Sequence, residues 1–323
     1  MDAHTTANKN KKPPAIAHEP ALGLIGSSAG LSRPATTIKN LFSVDVEDYY
    51  HVSAFNEVIK PEDWVNYKSR LIPNILTILE LLERHSVKAT FFVLGWVAEK
   101  FPDSISLIHN YGHEIASHSY SHRLVYKLTP EQFREDTYKS KSILEDITGE
   151  AVIGYRAPSF SITPDSQWAW EILQELGFKY SSSVFPISHD RYGFLRVPRV
   201  LFNVNMRFGA QLKELPMSTI KVFGRNFPVA GGGYLRLFPY WFTSRAIRQL
   251  NNGNIPAVVY VHPWELDPYQ PRVKCNLKSK FRHYTNLHTT ASKLKALLSE
   301  FKFTRIEDYI TSDNVKGDSS DSS

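Results

Sequence analysis

Short apolar runs along this chain alternate with stretches in which apolar residues recur every three to four positions. That rhythm predicts strands and helices alternating around a parallel sheet or barrel. The run "LFSVDV" (residues 41–46) reads as a buried strand. The helix after it should place Leu71, Ile72, Ile75, Leu76, Leu79 and Leu82 on one face. "KATFFVLGWV" (residues 88–97) and "GHEIASHSYSH" (residues 112–122) carry the next two strands. Thr129, followed by Pro130 and with Gln132 three positions on, predicts a helix start with proline at the first position and a capping box. Thr163 and Pro164 repeat the start signal before "QWAWEILQEL". "IPAVVYVHP" is a β-prone run near the end, and residues 289–301 read as a closing helix.

One region breaks the alternation. Residues 186–236 cluster proline, glycine and aromatic side chains, which predicts loops and short antiparallel strands inserted into the barrel, where they would shape a substrate cleft. Residues 1–37, rich in Ala, Thr, Lys, Pro and Ser without periodicity, read as a disordered leader, and residues 312–323 as a disordered tail. The folded domain is then expected over residues 38–311.

Composition narrows the function classes. The 323 residues are 42% hydrophobic and 22% charged, as in ordinary soluble domains. No apolar run approaches the roughly 18 residues of a membrane span. A single cysteine, Cys275, excludes an internal disulfide and fits a reducing compartment, so a cytoplasmic location is expected. The net charge of +6 is spread along the chain, with no basic run beyond residues 8–12, which argues against nucleic-acid binding. The oligomeric state is not legible in these features.

The candidate chemistry lies at the ends of the predicted strands. In "SVDVEDYYHV", side-chain alternation sends Asp45 and Glu47 to the same side, with Asp48 following as the strand breaks. Three acids at the end of an apolar strand are costly unless solvated, paired or bound to a metal. His118 and His122, four residues apart on a helical turn or tight loop, can aim both imidazoles at one ion. Two histidines and a carboxylate leave coordination positions open, as catalytic zinc requires. His113, just after Gly112, reads as a strand-entry residue. Pro158 restricts Ala157 to extended geometry and so places Arg156 rigidly near a strand end, where a guanidinium can hold a carboxylate ionised. His262 ends the run "VVYV" before Pro263 and Trp264. In a parallel barrel all four of these strand ends meet on one face.

In order and wording these motifs resemble the polysaccharide deacetylases, the NodB-homology group or carbohydrate esterase family 4, from about Leu41 to Ile310. The resemblance is strongest to the branch found beside exosortase and exopolysaccharide gene clusters, through "DVEDYY", "ATFFVLGWVAE", "GHEIASH", "RAPSFSI", "HDRYG", "GGGYLRL" and "HPWELDP". It implies an α/β fold, a distorted (β/α)7 barrel, and a hydrolase that removes N-acetyl groups from a polysaccharide or oligosaccharide. It also implies one divalent cation, zinc first, with cobalt or another divalent ion as alternatives. By the same resemblance Asp45 matches the catalytic base, His118 and His122 the metal-binding histidines, Arg156 the arginine that tunes the base, and His262 the general acid.

Two positions depart from the family. Its third ligand is an aspartate directly after the base, where this chain has Val46. The role must pass to Glu47 or Asp48, and alternation favours Glu47. The family's support for the acid histidine is an aspartate in "YDSS", and here "YSSS" puts Ser181 in that place, with Asp190 of "HDRYG" as the candidate replacement. Tyr49, Tyr234 and Trp264, with Tyr50 and Trp96, are candidates for a sugar-stacking platform. Two other functions fit the same residues: a hydrolase of a non-peptide C–N bond in a small cyclic amide, and a catalytically impaired glycan-binding protein.

Overall fold

The computed structural model describes residues 38–189, 192–205, 211–229 and 231–317. The expected leader and Asp190 lie outside the described residues. Eleven strands are present among those described: β1 (Lys39–Val46), β2 (Thr90–Val93), β3 (Glu114–Ser117), β4 (Gly154–Tyr155), β5 (Tyr180–Ser181), β6 (Phe202–Asn205), β7 (Gln211–Glu214), β8 (Thr219–Val222), β9 (Arg225–Pro228), β10 (Val258–Val261) and β11 (Lys302–Thr304). The sheet runs β10-β1-β2-β3-β4-β5-β7-β6, and every neighbouring pair from β10 to β7 is parallel. These seven strands are the staves of the distorted (β/α)7 barrel implied by the motifs. β6 adds antiparallel to β7, β11 pairs with the first three residues of β1, and β8 and β9 form a separate hairpin.

β1 is central, and all of its residues but Lys39 are buried, which explains a near-continuous apolar run in place of a two-faced pattern. The barrel does not close by a ladder between β7 and β10. Instead the amide of Val258 donates to Ser218 Oγ at 2.7 Å, and Gly231 bridges to Tyr260. A Cβ at position 231 would meet the Tyr260 ring at 2.0 Å, so only glycine lets the backbone lie there.

The helices are α1 (Leu71–Arg84), α2 (Gly95–Lys100), α3 (Pro102–Asn110), α4 (Pro130–Thr148), α5 (Trp168–Glu175), α6 (Gly232–Leu237), α7 (Tyr240–Asn252), α8 (Leu277–Tyr284), α9 (Leu287–Glu300) and α10 (Ile306–Gly317). α4 begins as its residues predict: Gln132 N donates to Thr129 Oγ1 and Thr129 N to Gln132 Oε1, at 3.3 and 3.1 Å. Among the described residues no helix is long and apolar enough to cross a membrane.

The structure differs from the pattern-based expectation in three places. α1 buries Leu71, Asn74, Ile75, Ile78, Leu79 and Leu82, while Ile72 and Leu76 are exposed. The stripe is turned about its axis because Asn74 and Ile78, not Ile72 and Leu76, face the sheet. Residues 186–236 are not wholly an excursion, since β7 within them is a parallel stave beside β5. α10 continues to Gly317, beyond the point where the tail was expected to start.

Candidate active site

Site residues converge where the parallel strands end. Asp45 is paired across the sheet with Phe92, and Glu47 follows in a tight turn in which its amide donates to the Asp45 carbonyl at 3.0 Å. That turn keeps both carboxylates on one side, and both face His262: its Nε2 lies 3.1 Å from Glu47 Oε1 and 3.9 Å from Asp45 Oδ2. Asp48 turns the other way. Its oxygens accept from Ser69 Oγ and from the amides of Tyr49 and Arg70 at 2.7–2.8 Å, fastening the start of α1. It is not among the residues whose ligand atoms gather with those of His118 and His122.

His118 continues the ladder past β3, its amide donating to Val93 O at 2.9 Å. The following loop, not a helical turn, reverses the chain through Ser119 (φ 64°) and His122 (φ 52°). Asp136 on α4 holds this loop, accepting from Tyr120 N at 2.7 Å and from the Ser121 hydroxyl. The ring of His122 is thereby brought to 5.4 Å from that of His118.

Arg156 follows β4 and is fully buried. Its Nη1 donates to Asp45 Oδ1 at 2.7 Å and to Ser43 Oγ at 2.8 Å, Nε and Nη2 reach Ser182, and the guanidinium lies 4.0 Å from the Phe92 ring centre. His262, after β10, sits against Glu265, whose Oε2 is 3.0 Å from both its Nδ1 and its amide. Glu265 is held by Arg236 Nε at 2.7 Å, and Trp264 stacks on the histidine ring.

The electrostatics divide the histidines. Burial depresses His118 and His122 to about 4, which keeps them neutral as metal ligands must be. Burial would also depress His262, but Glu265 and then Glu47 override it and push it to about 10. Burial works to raise Asp45 as well, yet the Arg156 guanidinium, with His118 and His262, holds it below the usual carboxylate range. Glu265, beside Arg236 and His262, falls to about 2 despite its burial.

Glu47, His118 and His122 fit a metal ion. Their ligand atoms lie within 4.8 Å of one another, a span that small side-chain shifts close around an ion with ligand distances of roughly 2.0–2.2 Å. The Nδ1 of His118 is engaged with Arg156 O at 2.8 Å, which directs Nε2 to the cluster, and Glu47 Oε2 is buried facing His122 Nε2 at 3.3 Å without a hydrogen bond. A carboxylate oxygen left in that state is costly unless a cation completes it.

A cleft of about 400 Å³ opens onto this cluster, lined by Asp45, Glu47, His118, His122, His262, Tyr234 and Trp264 among others. Tyr49, Tyr50 and Trp96 do not line it. Tyr49 and Tyr50 are buried in a separate aromatic core, and Trp96 packs against that core beside Trp64 and His51. Ser181 does not reach His262. It is buried in β5, donates to Ser183 Oγ at 2.8 Å and lies beside Glu214. The support expected of that position comes from Glu265, and neither Glu265 nor Arg236 stood out in the motifs. The signal was present for one of them, since a glutamate three residues after His262 with proline between is a capping-box spacing, and that pattern is realised. His113 accepts from Ala89 N at 3.1 Å and is structural.

The fold is an α/β barrel with its candidate site at the strand ends, and comparison with known proteins agrees on the fold. Residues 73–181 match the model of the polysaccharide deacetylase family. Residues 182–311 match a domain described as of unknown function, DUF3473. A peptidoglycan-N-acetylglucosamine deacetylase of Bacillus cereus is 41% identical over 95 residues, covering 29% of this chain and 34% of that protein. A peptidoglycan deacetylase of Helicobacter pylori is 33% identical over 107 residues, covering 33% of this chain and 36% of that protein. The chain thus spans about a third of the length of these curated relatives. Among solved structures, one from Mycobacterium smegmatis assigned to the polysaccharide deacetylases superposes with TM-score 0.55 at 17% identity, covering 90% of this chain and 95% of that one. An allantoinase superposes with TM-score 0.52 at 16% identity, covering 84% and 88%. Both likenesses speak for the barrel alone.

Proposed function

We propose that this protein is a metal-dependent polysaccharide N-deacetylase, a hydrolase that releases acetate from N-acetylated sugars of a polysaccharide or oligosaccharide. The observation that carries the reading is the convergence in one cleft of a buried His–His–carboxylate cluster, an arginine-held aspartate and a glutamate-held histidine. A divalent cation held by Glu47, His118 and His122 would polarise the acetyl carbonyl and lower the pKa of a water, and zinc suits the nitrogen-rich donor set. Asp45, kept ionised by Arg156, takes the proton of the attacking water on Oδ2, the oxygen not bound by the guanidinium. His262 donates from Nε2 to the departing nitrogen, while its Nδ1–H donates to Glu265 and so fixes the tautomer. The water oxygen adds to the acetyl carbonyl carbon, and the C–N bond then breaks as the nitrogen takes the His262 proton, leaving acetate and a free amine. Tyr234 and Trp264 wall the cleft on the sugar side.

The experiment is acetate release from a panel of N-acetylated oligosaccharides, with peptidoglycan fragments and exopolysaccharide preparations included. The protein is stripped with chelator and reloaded with zinc or cobalt. Activity that vanishes with chelator and returns with metal supports the reading. No acetate from any substrate in the metal-loaded protein rejects it.

A further inference from the structure

The β8–β9 hairpin lies outside the cleft lining and has a chemistry of its own. Val222 pairs with Arg225, so Phe223 and Gly224 are the two central residues of its turn, with φ 48° and 76°. Positive φ at both positions marks the type I′ geometry, which asparagine followed by glycine adopts most readily. A phenylalanine there is strained, because its side chain crowds the backbone in the left-handed region. The strain gains no packing, since Phe223 is fully exposed. Single exposed rings are common on protein surfaces, but a strained ring that packs on nothing points to a contact outside the molecule.

The surroundings define that contact. Lys221 and Arg225 flank the ring, both exposed, and the pairing register puts them on opposite faces of the ribbon. Among the described residues neither side chain is engaged in a hydrogen bond or ion pair. Residues 219–228, "TIKVFGRNFP", contain no aspartate or glutamate. The base of the hairpin is fixed. Phe227 packs on Phe238 and Phe242 with ring centres at 5.4 and 5.9 Å, Asn226 Nδ2 donates to Pro186 O at 2.7 Å, and Arg199 donates to Thr219. The tip is therefore a convex knob held out from the body. Two residues are far too few for a protein interface of about 800 Å² on each side. A sugar site would need side-chain donors and acceptors matched to hydroxyls, and Val222, Phe223 and Gly224 have none. One ring between two cations suits the boundary of an anionic bilayer, where aromatic rings settle at headgroup level and lysine and arginine meet the negative surface.

We propose that the β8–β9 hairpin docks this protein on an anionic phospholipid surface, with Phe223 entering the interface and Lys221 and Arg225 contacting headgroup phosphates. The contact is peripheral and needs no membrane-spanning helix. It does not depend on the reaction assigned to the cleft.

The test sediments the full chain with sucrose-loaded vesicles, made of phosphatidylcholine alone or of phosphatidylcholine and phosphatidylglycerol in equal parts. The wild type should bind the anionic vesicles in preference, and the binding should weaken as salt rises. Phe223→Asn suits the turn, so the variant should melt no lower than the wild type and yet bind the anionic vesicles roughly ten- to a hundredfold more weakly. Lys221→Glu should weaken binding by roughly five- to thirtyfold. Lys100→Glu makes the same charge change at an exposed lysine of α2 and should leave binding in place. A wild type that stays in solution with anionic vesicles, or binding that survives Phe223→Asn, overturns the proposal. Equal losses in Lys221→Glu and Lys100→Glu overturn it too, because net charge alone would then hold the protein to the lipid. Size-exclusion chromatography covers the remaining occupant: a wild-type dimer that Phe223→Asn dissociates, without vesicle binding, would make the tip a contact between copies instead.

Discussion

The two ends of the barrel each bury a carboxylate, and the two behave oppositely. At the C-terminal edge Asp45 is held ionised by Arg156 at 2.7 Å. At the N-terminal edge Glu114, the first residue of β3, accepts from Thr90 Oγ1 at 2.5 Å, Tyr180 Oη at 2.6 Å and the amide of Glu307 at 3.0 Å. Burial dominates there and lifts it to about 7, because its partners are neutral donors. Hydrogen bonds from neutral donors thus do not offset burial at Glu114, whereas the Arg156 guanidinium, with His118 and His262, offsets it at Asp45. Glu114 fastens the start of α10 to the barrel floor, and Asp45 stays ionised beside Arg156.

The largest effect is expected from breaking the charged end. Asp45→Asn should lower turnover by roughly 10²–10⁴-fold, the usual worth of general-base catalysis, while the protein keeps its bound metal. Metal analysis of the purified variant checks the second half, and metal lost along with activity would make Asp45 a ligand instead of a base.

At the other end the readout is stability. The folded pKa of Glu114 lies above its unfolded value, so the folded state holds the proton longer as pH rises. The stability it contributes is present below about 4.5 and is lost between there and about 7. The difference amounts to about 3 kcal/mol. Glu114→Gln mimics the protonated acid, so the variant should gain about that much on the wild type between pH 5 and pH 8. Denaturant unfolding at both pH values measures it, and a gap independent of pH would mean that Glu114 is ionised in the fold.

A smaller effect is expected behind the acid histidine. Glu265→Gln leaves a hydrogen-bond acceptor on His262 Nδ1 but removes the charge, and carboxylates behind functional imidazoles are worth about ten- to a hundredfold. Turnover should fall by that amount, and KM should move little because Glu265 acts through His262. A fall in affinity with unchanged turnover would assign Glu265 to substrate binding.

Much of this site was legible in the residue pattern, for identifiable reasons. Asp45 lies at the end of a buried strand, His118, Arg156 and His262 each follow one, and a parallel barrel gathers strand ends by topology. Glu47 and not Asp48 lies beside His118 and His122, although alternation strictly holds only within the strand and both residues lie past its end. The turn from Asp45 O to Glu47 N preserved it. β7 was not legible, because "QLKE" is a four-residue segment with only one large apolar side chain, Leu212. Nor was the Arg236–Glu265 pair, whose members are 29 positions apart. No local periodicity links them. The aromatic candidates failed for Tyr49 and Tyr50 because a strand-end position says nothing of whether a ring meets a cleft or a second core.

The sharpest test of the site's layout is the one with the smallest expected effect on rate. If position 181 supported His262, restoring the family's carboxylate by Ser181→Asp would strengthen the acid and raise activity at alkaline pH. The structure places that side chain against Ser183 and Glu214, outside the cleft lining, and Glu265 already occupies His262 Nδ1. A new carboxylate would therefore meet Glu214, which burial has already raised and which accepts from Trp170 Nε1 and the amides of Ser183 and Val184. Two acids in that buried pocket repel or share a proton, so the cost falls on stability, of order 1–3 kcal/mol. The kcat/KM–pH profile of the folded variant should keep its alkaline limb, with rates within about threefold of the wild type. An alkaline limb displaced upward would show that position 181 communicates with His262 after all, and Glu265 would then share its role.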